Sequence, residues 1–198
     1  MRKNLSEERI LQATLELIDE NGSSTGVNFR GIARRLGCAH TSIYNFYNSY
    51  SELQLEALNE IRKRMLNDVI KNIGNQHQEF NFLNYIAAVI DFNIKHKGWY
   101  RFLWMDSHSW KMEDVIKPNE RPDRMFVKEL MELSGGVLNG NKAERVHGIM
   151  HAYYHGELMK FMNGRSPIKY ENDVKKIIME NLNFMHKSMT ETIRGEKA

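Results

Sequence analysis

Apolar residues return along this chain at every third or fourth position, the period of helices with one buried face. In residues 28–36, Phe29, Ile32, Ala33 and Leu36 stand at i, i+3, i+4 and i+7. Asn28 is suited to cap this helix at its start, and Gly37 stands where a helix end needs a residue tolerant of positive φ. A second short helix is predicted over 40–47, with Ile43 and Phe46 inward. Upstream, Ser6 precedes an apolar-periodic run with Glu7 and Glu8 in its first turn, and Asn21-Gly22 stops it, which predicts a helix over 5–21. Downstream, the same reading predicts helices over 51–73, 80–97, 98–107, 121–134, 142–163 and 172–192. No stretch alternates apolar and polar residues as a strand would. The expected fold class is all-α, with about nine helices.

The outer face of 40–47 gives this pattern a chemistry. His40, Thr41, Ser42, Tyr44, Asn45 and Tyr47 are left largely outside. A short helix that shows hydroxyls, an amide, an imidazole and phenols contributes little core. Joined through a tight turn to the helix before it, it suits a helix-turn-helix, whose second helix enters the major groove N-terminus first. Charge agrees. The chain carries 25 Asp and Glu, yet residues 21–51 contain none, while Arg30, Arg34, Arg35 and His40 lie among them. Acids there would repel phosphate. The expected roles are base or groove-edge contacts for His40, Thr41, Ser42 and Asn45, and phosphate contacts for Tyr44 and Tyr47. Asn28 and Arg30 complete the DNA-facing set. Asn45 is long enough for paired hydrogen bonds with adenine.

The order of elements and the residues on them carry a resemblance. The first helix has Arg9-Ile10-Leu11-x-Ala13, and the second has Gly31-Ile32-Ala33-x-x-Leu36-Gly37. Ser42-Ile43-Tyr44-x-x-Tyr47 follows, and then Glu52-Leu53 opens a long helix. Over residues 4 to 64 the chain resembles the tetracycline-repressor (TetR) family of bacterial one-component regulators; beyond that, only the helical layout is similar. The resemblance implies a three-helix DNA-binding domain over 1–50 (motif 28–47), a linking helix over 51–73, and a helical ligand-binding and dimerisation domain over 74–198. One departure stands out. Where the family usually has a phosphate-holding lysine, three residues after the aromatic that closes the recognition helix, this chain has Tyr50. Its hydroxyl is expected to donate one hydrogen bond to phosphate without the charge, which makes the salt dependence of binding shallower.

Past Gly74-Asn-Gln-His-Gln the chain becomes rich in aromatics and methionine. Residues 99–110 hold all three tryptophans. The resemblance implies a small-molecule cavity here, with Trp99, Phe102, Trp104 and Trp110 as flat walls and Met105 and Met125 as adaptable ones. Asp106 and His108 are the polar groups expected to converge on a ligand. The same aromatic cluster is equally readable as plain core. His147, His151 and His155, spaced by four, form one stripe of a helix. Three such imidazoles span too far along a straight helix to share one ion, so no metal site is expected. The open alternatives are lining of the cavity, to which His151 and His155 would then belong, or of an interface between copies.

Two further stripes suggest association. Val174, Ile177, Ile178, Asn181, Leu182, Met185 and Met189 form one, and Val146, Ile149, Met150, Tyr153 and Phe161 form another. In the family such helices make a four-helix bundle between two chains, which implies an interface through Val146, Met150, Tyr153, Val174, Ile178, Leu182, Met185 and Met189. Packing within one chain produces the same stripes.

Composition sets limits on the function. The chain has 198 residues, 41% of them hydrophobic, and its net charge of +3 does not by itself argue for DNA. No apolar run reaches the length of a membrane span, and Met1-Arg-Lys-Asn leads directly into a polar capped helix, so neither a signal peptide nor a membrane partner is expected and the cytoplasm is the expected compartment. The single cysteine, Cys38, excludes an intrachain disulfide and a multi-cysteine zinc site. No Gly-rich phosphate loop, nucleophile motif or His-Glu-x-x-His points to an enzyme or a cofactor. The expected function is that of a homodimeric transcriptional regulator, a repressor bound to double-stranded DNA at a palindromic operator and released by a small, mostly apolar effector. The alternatives are a DNA-binding regulator that answers to a protein partner, and an enzyme using the C-terminal helical cavity.

Overall fold

The computed structural model describes residues 5–77, 81–109, 123–135 and 138–195. Among these residues there are eight α-helices, one 3-10 helix and no strand. In chain order they are α1 (Glu7–Asn21), α2 (Phe29–Leu36), the 3-10 helix (His40–Asn45), α3 (Tyr50–Asn75) and α4 (Phe82–Lys95). Then come α5 (Lys97–Trp104), α6 (Asp123–Leu133), α7 (Gly140–Met162) and α8 (Glu171–Gly195). The protein is all-α, as its periodicity predicts.

The first helices begin and end where their capping residues stand. The Ser6 hydroxyl accepts from the Arg9 N–H at 3.3 Å, and the Asn28 side chain accepts from the Gly31 N–H at 3.0 Å. Each bond satisfies one donor that the first turn leaves over. At the far end of α2, Gly37 turns left-handed with φ 67°, and the Cys38 N–H returns to the Ala33 carbonyl. The α4–α5 boundary falls at His96, whose φ of −118° and ψ of 64° interrupt the helix.

Contacts divide the chain into two units. The first joins residues 5–68 to 92–109; the second holds the described residues of 69–91 and 123–195. This differs from the division at residue 74 that the sequence suggests. In the first unit, Ile10, Leu15 and Ile18 of α1 meet Ile32 of α2, Ile43 of the 3-10 helix, and Leu53, Leu58 and Ile61 of α3. Phe92, Trp99, Phe102 and Leu103 complete that core from a segment far along the chain. Each such side chain stabilises the unit by roughly 1.5–3 kcal/mol on burial, so α5 is a structural member of it.

The second unit packs α6, α7 and α8 with the first part of α4. The Phe82 ring meets Phe126 edge-on at 5.4 Å, and His147 lies against both rings. Glu129 caps α4 by accepting from the Phe82 N–H at 2.9 Å, and Lys175 bonds Asp91 at 2.6 Å. Met150, Val174, Ile178 and Leu182 are fully buried inside this one chain. Four of the residues expected at a dimer seam are thus buried within the protomer itself. Of the other four, Val146 is half-buried against Leu130, Leu138 and Ala143, and the half-buried Tyr153 accepts from the Asn181 amide at 2.6 Å. Met185 and Met189 are half-buried. The outward apolar residues are different ones: Ile149, Met159, Ile177 and Phe184, the last 70% exposed.

Candidate nucleic-acid interface

The predicted reading helix is present in position but wound more tightly. His40–Asn45 is a 3-10 helix. None of Thr, Ser, Ile, Tyr or Asn is a strong α-helix former, and hydroxyl and amide side chains compete for backbone groups, so the short segment takes i→i+3 bonds. The Ser42 N–H donates to the Ala39 carbonyl at 3.0 Å and the Phe46 N–H to the Ile43 carbonyl at 2.9 Å. At a rise of about 2.0 Å per residue the element is drawn out relative to an α-helix of equal length.

Its outer face is the one the sequence marks. His40, Thr41, Tyr44 and Asn45 are exposed, Ser42 is half-buried, and Ile43 points into the core. Tyr44, 53% exposed, is braced edge-on against Phe29 with centroids 5.0 Å apart. Asn28, Arg30 and Arg34 are exposed on α2. The acids that flank this acid-free stretch are engaged elsewhere. Glu20 is held by Arg35, which also lies 3.8 Å from Glu16. Glu52 folds back to accept from the Asn48 N–H at 2.9 Å, while Ser49 accepts from the Glu52 N–H at 3.1 Å. The Ser49 hydroxyl thus takes up a first-turn donor of α3, and the Asn48 bonds keep the Glu52 carboxylate occupied at the motif's edge. Arg35 therefore serves α1, and the positive charge left on the outer face comes from Arg30 and Arg34.

Two expected phosphate contacts are corrected. Tyr47 is 3% exposed, and burial raises its pKa above the usual phenol value, with the Glu56 carboxylate adding to the shift. The 3-10 winding ends at Asn45, the Tyr47 N–H bonds the Ile43 carbonyl at 3.1 Å, and the Tyr47 side chain joins Ile43 in the core of the first unit. Tyr50 packs edge-on to Phe29 at 5.9 Å, and its hydroxyl is buried with no hydrogen-bond partner among the described residues. Burial, then the nearby Asp106 charge, raises its pKa as well. Neither hydroxyl reaches the surface that a phosphate would touch.

The expected ligand residues among those described are divided between the two units. Trp99 and Phe102 are core of the first unit, and the Trp99 indole N–H donates to the Leu15 carbonyl at 2.9 Å. Trp104 is exposed, Met105 is half-buried, and one His108 ring nitrogen (Nε2) lies 2.7 Å from the Phe102 carbonyl. Asp106 accepts both the N–H and the hydroxyl of Ser24. Met125 is exposed on α6, and His151 and His155 lie in the second unit; Trp110 lies outside the described residues. Two cavities are lined by other described residues. One, of about 910 Å³, runs between α1 and α3 past Gln12, Glu16, Glu56 and Arg64; the other, of about 420 Å³, lies at 167–180.

The histidine stripe forms a ladder inside the second unit. Ring centroids are 6.0 Å apart from His147 to His151 and 4.4 Å from His151 to His155. Burial, and secondarily His151, pulls the His155 pKa down to about 3. Among the described residues no group of three or more His, Cys, Asp or Glu is arranged to hold a metal ion, and no helix is long and apolar enough to cross a membrane.

Sequence reasoning missed a set of residues that holds α5 on the end of α1. Asp19 at the end of α1 lies 2.7 Å from His96 Nδ1 and accepts from the Gly98 N–H at 3.3 Å. A Cβ on Gly98 would lie 2.3 Å from the Ile18 carbonyl oxygen, so only glycine allows α5 this close to α1. A glycine between helix-forming neighbours, with no turn residues around it, is the signal that marks such an approach. No protein-family model and no curated protein matches the chain.

Proposed function

We propose that this protein is a homodimeric DNA-binding transcriptional regulator of the TetR type, acting as a repressor at a near-palindromic operator. The observation that carries the reading is the acid-free outer surface over 21–51. There His40, Thr41, Tyr44 and Asn45 stand outward beside Arg30 and Arg34 while the flanking acids Glu20 and Glu52 are engaged. A symmetric dimer suits this surface, since two such elements would address successive major grooves roughly 34 Å apart. Phe184 and Ile177, one heptad apart on the outside of α8, supply apolar surface for that association. An enzymatic reading would leave the acid-free motif without a role.

Release by a small, mostly apolar effector is the family-like form of regulation. The use of Trp99 and Phe102 as core favours a second form, in which the regulator answers to a protein partner. Selection of bound fragments from random duplex DNA tests the DNA reading directly and supplies the operator. Asn45→Ala should then relax preference at one base position by about 1–3 kcal/mol. Tyr44→Phe should weaken binding to all sequences alike. Unchanged affinity and selectivity in both variants would remove this face from consideration.

A further inference from the structure

The turn between α1 and α2 contains two left-handed glycines, Gly22 with φ 71° and Gly26 with φ 84°. Such a turn has many available paths, and its path decides where α2 and the reading element begin. The Val27 N–H closes on the Ser24 carbonyl at 3.0 Å, and Asn28 caps α2 one residue later. The other side-chain bonds of the turn, Thr25 N–H to Ser23 Oγ and Asn28 Nδ2 to the Gly26 carbonyl, are local. Ser24 is different. It is buried, and both its N–H and its hydroxyl donate to Asp106 Oδ2, each at 2.6 Å, across 82 positions of sequence.

Asp106 is itself held in place. Its N–H donates to the Arg101 carbonyl at 2.9 Å at the end of α5. Helix α5 is registered on α1 by the Gly98 approach, the Asp19 bonds and the Trp99 indole bond. A carboxylate accepting two hydrogen bonds on one oxygen makes a short, charge-assisted anchor. We infer that Asp106 is a positioning residue of the DNA-reading motif, fixing through Ser24 the turn from which α2 and the 3-10 helix are presented. The inference rests on the DNA-binding reading. In it, loss of Asp106 loosens the placement of the reading element and leaves the exposed charges where they are, so fit to a chosen sequence falls while general attraction to phosphate persists.

The test uses full-length Asp106→Ala, Asp106→Asn and Ser24→Ala, with the selected duplex and a random duplex as probes. In Asp106→Ala the Kd for the selected duplex should rise about tenfold, with the random duplex unchanged. Asp106→Asn, which keeps an acceptor, should restore most of the preference. Ser24→Ala added to Asp106→Ala should cost nothing more, because the two act through one contact. Hydrogen exchange should quicken at amides 24–31 and stay as in wild type within α7. A residue that acted only by stabilising the fold would lower both affinities by the same factor, and that result would overturn the inference, as would wild-type preference and protection in Asp106→Ala. If Asp106→Ala does not fold, Ser24→Ala decides by the same ratio. A wild-type protein that binds no duplex would overturn the DNA reading itself. The exchange comparison needs no DNA and still decides whether Asp106 holds the turn.

Discussion

Single side chains carry opposite consequences according to where their polar atoms end. The Tyr50 hydroxyl is buried without a partner among the described residues, and a buried donor left in that state costs about 1–3 kcal/mol. Tyr50→Phe should therefore raise the midpoint of urea unfolding and leave operator affinity unchanged. A drop in affinity would return this residue to the phosphate-contacting set. His155 makes the second case. Its folded pKa of about 3 lies below the ordinary 6.5, because burial disfavours the imidazolium and His151 opposes it further. The neutral form stabilises the fold fully above pH 6.5, and that contribution is lost as pH falls from 6.5 toward 3. At about 1.4 kcal/mol per pH unit, some 2 kcal/mol should disappear between pH 7 and pH 5. Unfolding followed by circular dichroism should show a shallower acid loss in His155→Gln; equal losses would mean that other groups control the acid limb. The legibility of these residues differs in the same way. Ser6, Asn28 and Gly37 were readable because a cap is local chemistry. Tyr47 is less legible: its ring is buried, and the signal for that is only its spacing of four from the inward Ile43.

At the scale of elements, α8 carries two stripes that the sequence blends into one. Val174, Ile178 and Leu182 recur every four residues and are buried, while Ile177 and Phe184 recur after seven and face outward. Periodicity shows that a helix is amphipathic, but it does not say which neighbour takes each edge of a wide stripe. The structure separates them, and substitutions should do the same. Ile178→Asp places an uncompensated charge in the protomer's own core, so it should unfold the second unit rather than merely dissociate subunits. Phe184→Asp should leave the helical signal intact and yield monomers in sedimentation, with operator binding weakened. A Phe184→Asp protein that still sediments as a dimer would move the interface to another face. The 3-10 helix was legible in place and outward chemistry. Its winding was not, since six residues of middling propensity are decided by what they pack upon.

At the scale of the whole molecule, the sequence showed the eight α-helices of the described residues with ends within a few residues, and the short 40–45 helix in place. It did not show which helices share a core. Trp99 and Phe102 read as a cavity because aromatics cluster in both settings, and the Asp106–Ser24 bond joins residues that no local pattern relates. The joining of 92–109 to 5–68 has a consequence in time as well. During synthesis the motif emerges early, but its core lacks the full set of Phe92, Trp99, Phe102 and Leu103 until more than fifty further residues have been added. At typical translation speeds of about 5–20 residues per second, that is a wait of roughly 3 to 11 s. For that interval the nascent chain carries the outward face of 40–45 on an unfinished support; under the proposed function, engagement of DNA would wait until well after the residues that would touch it have left the ribosome.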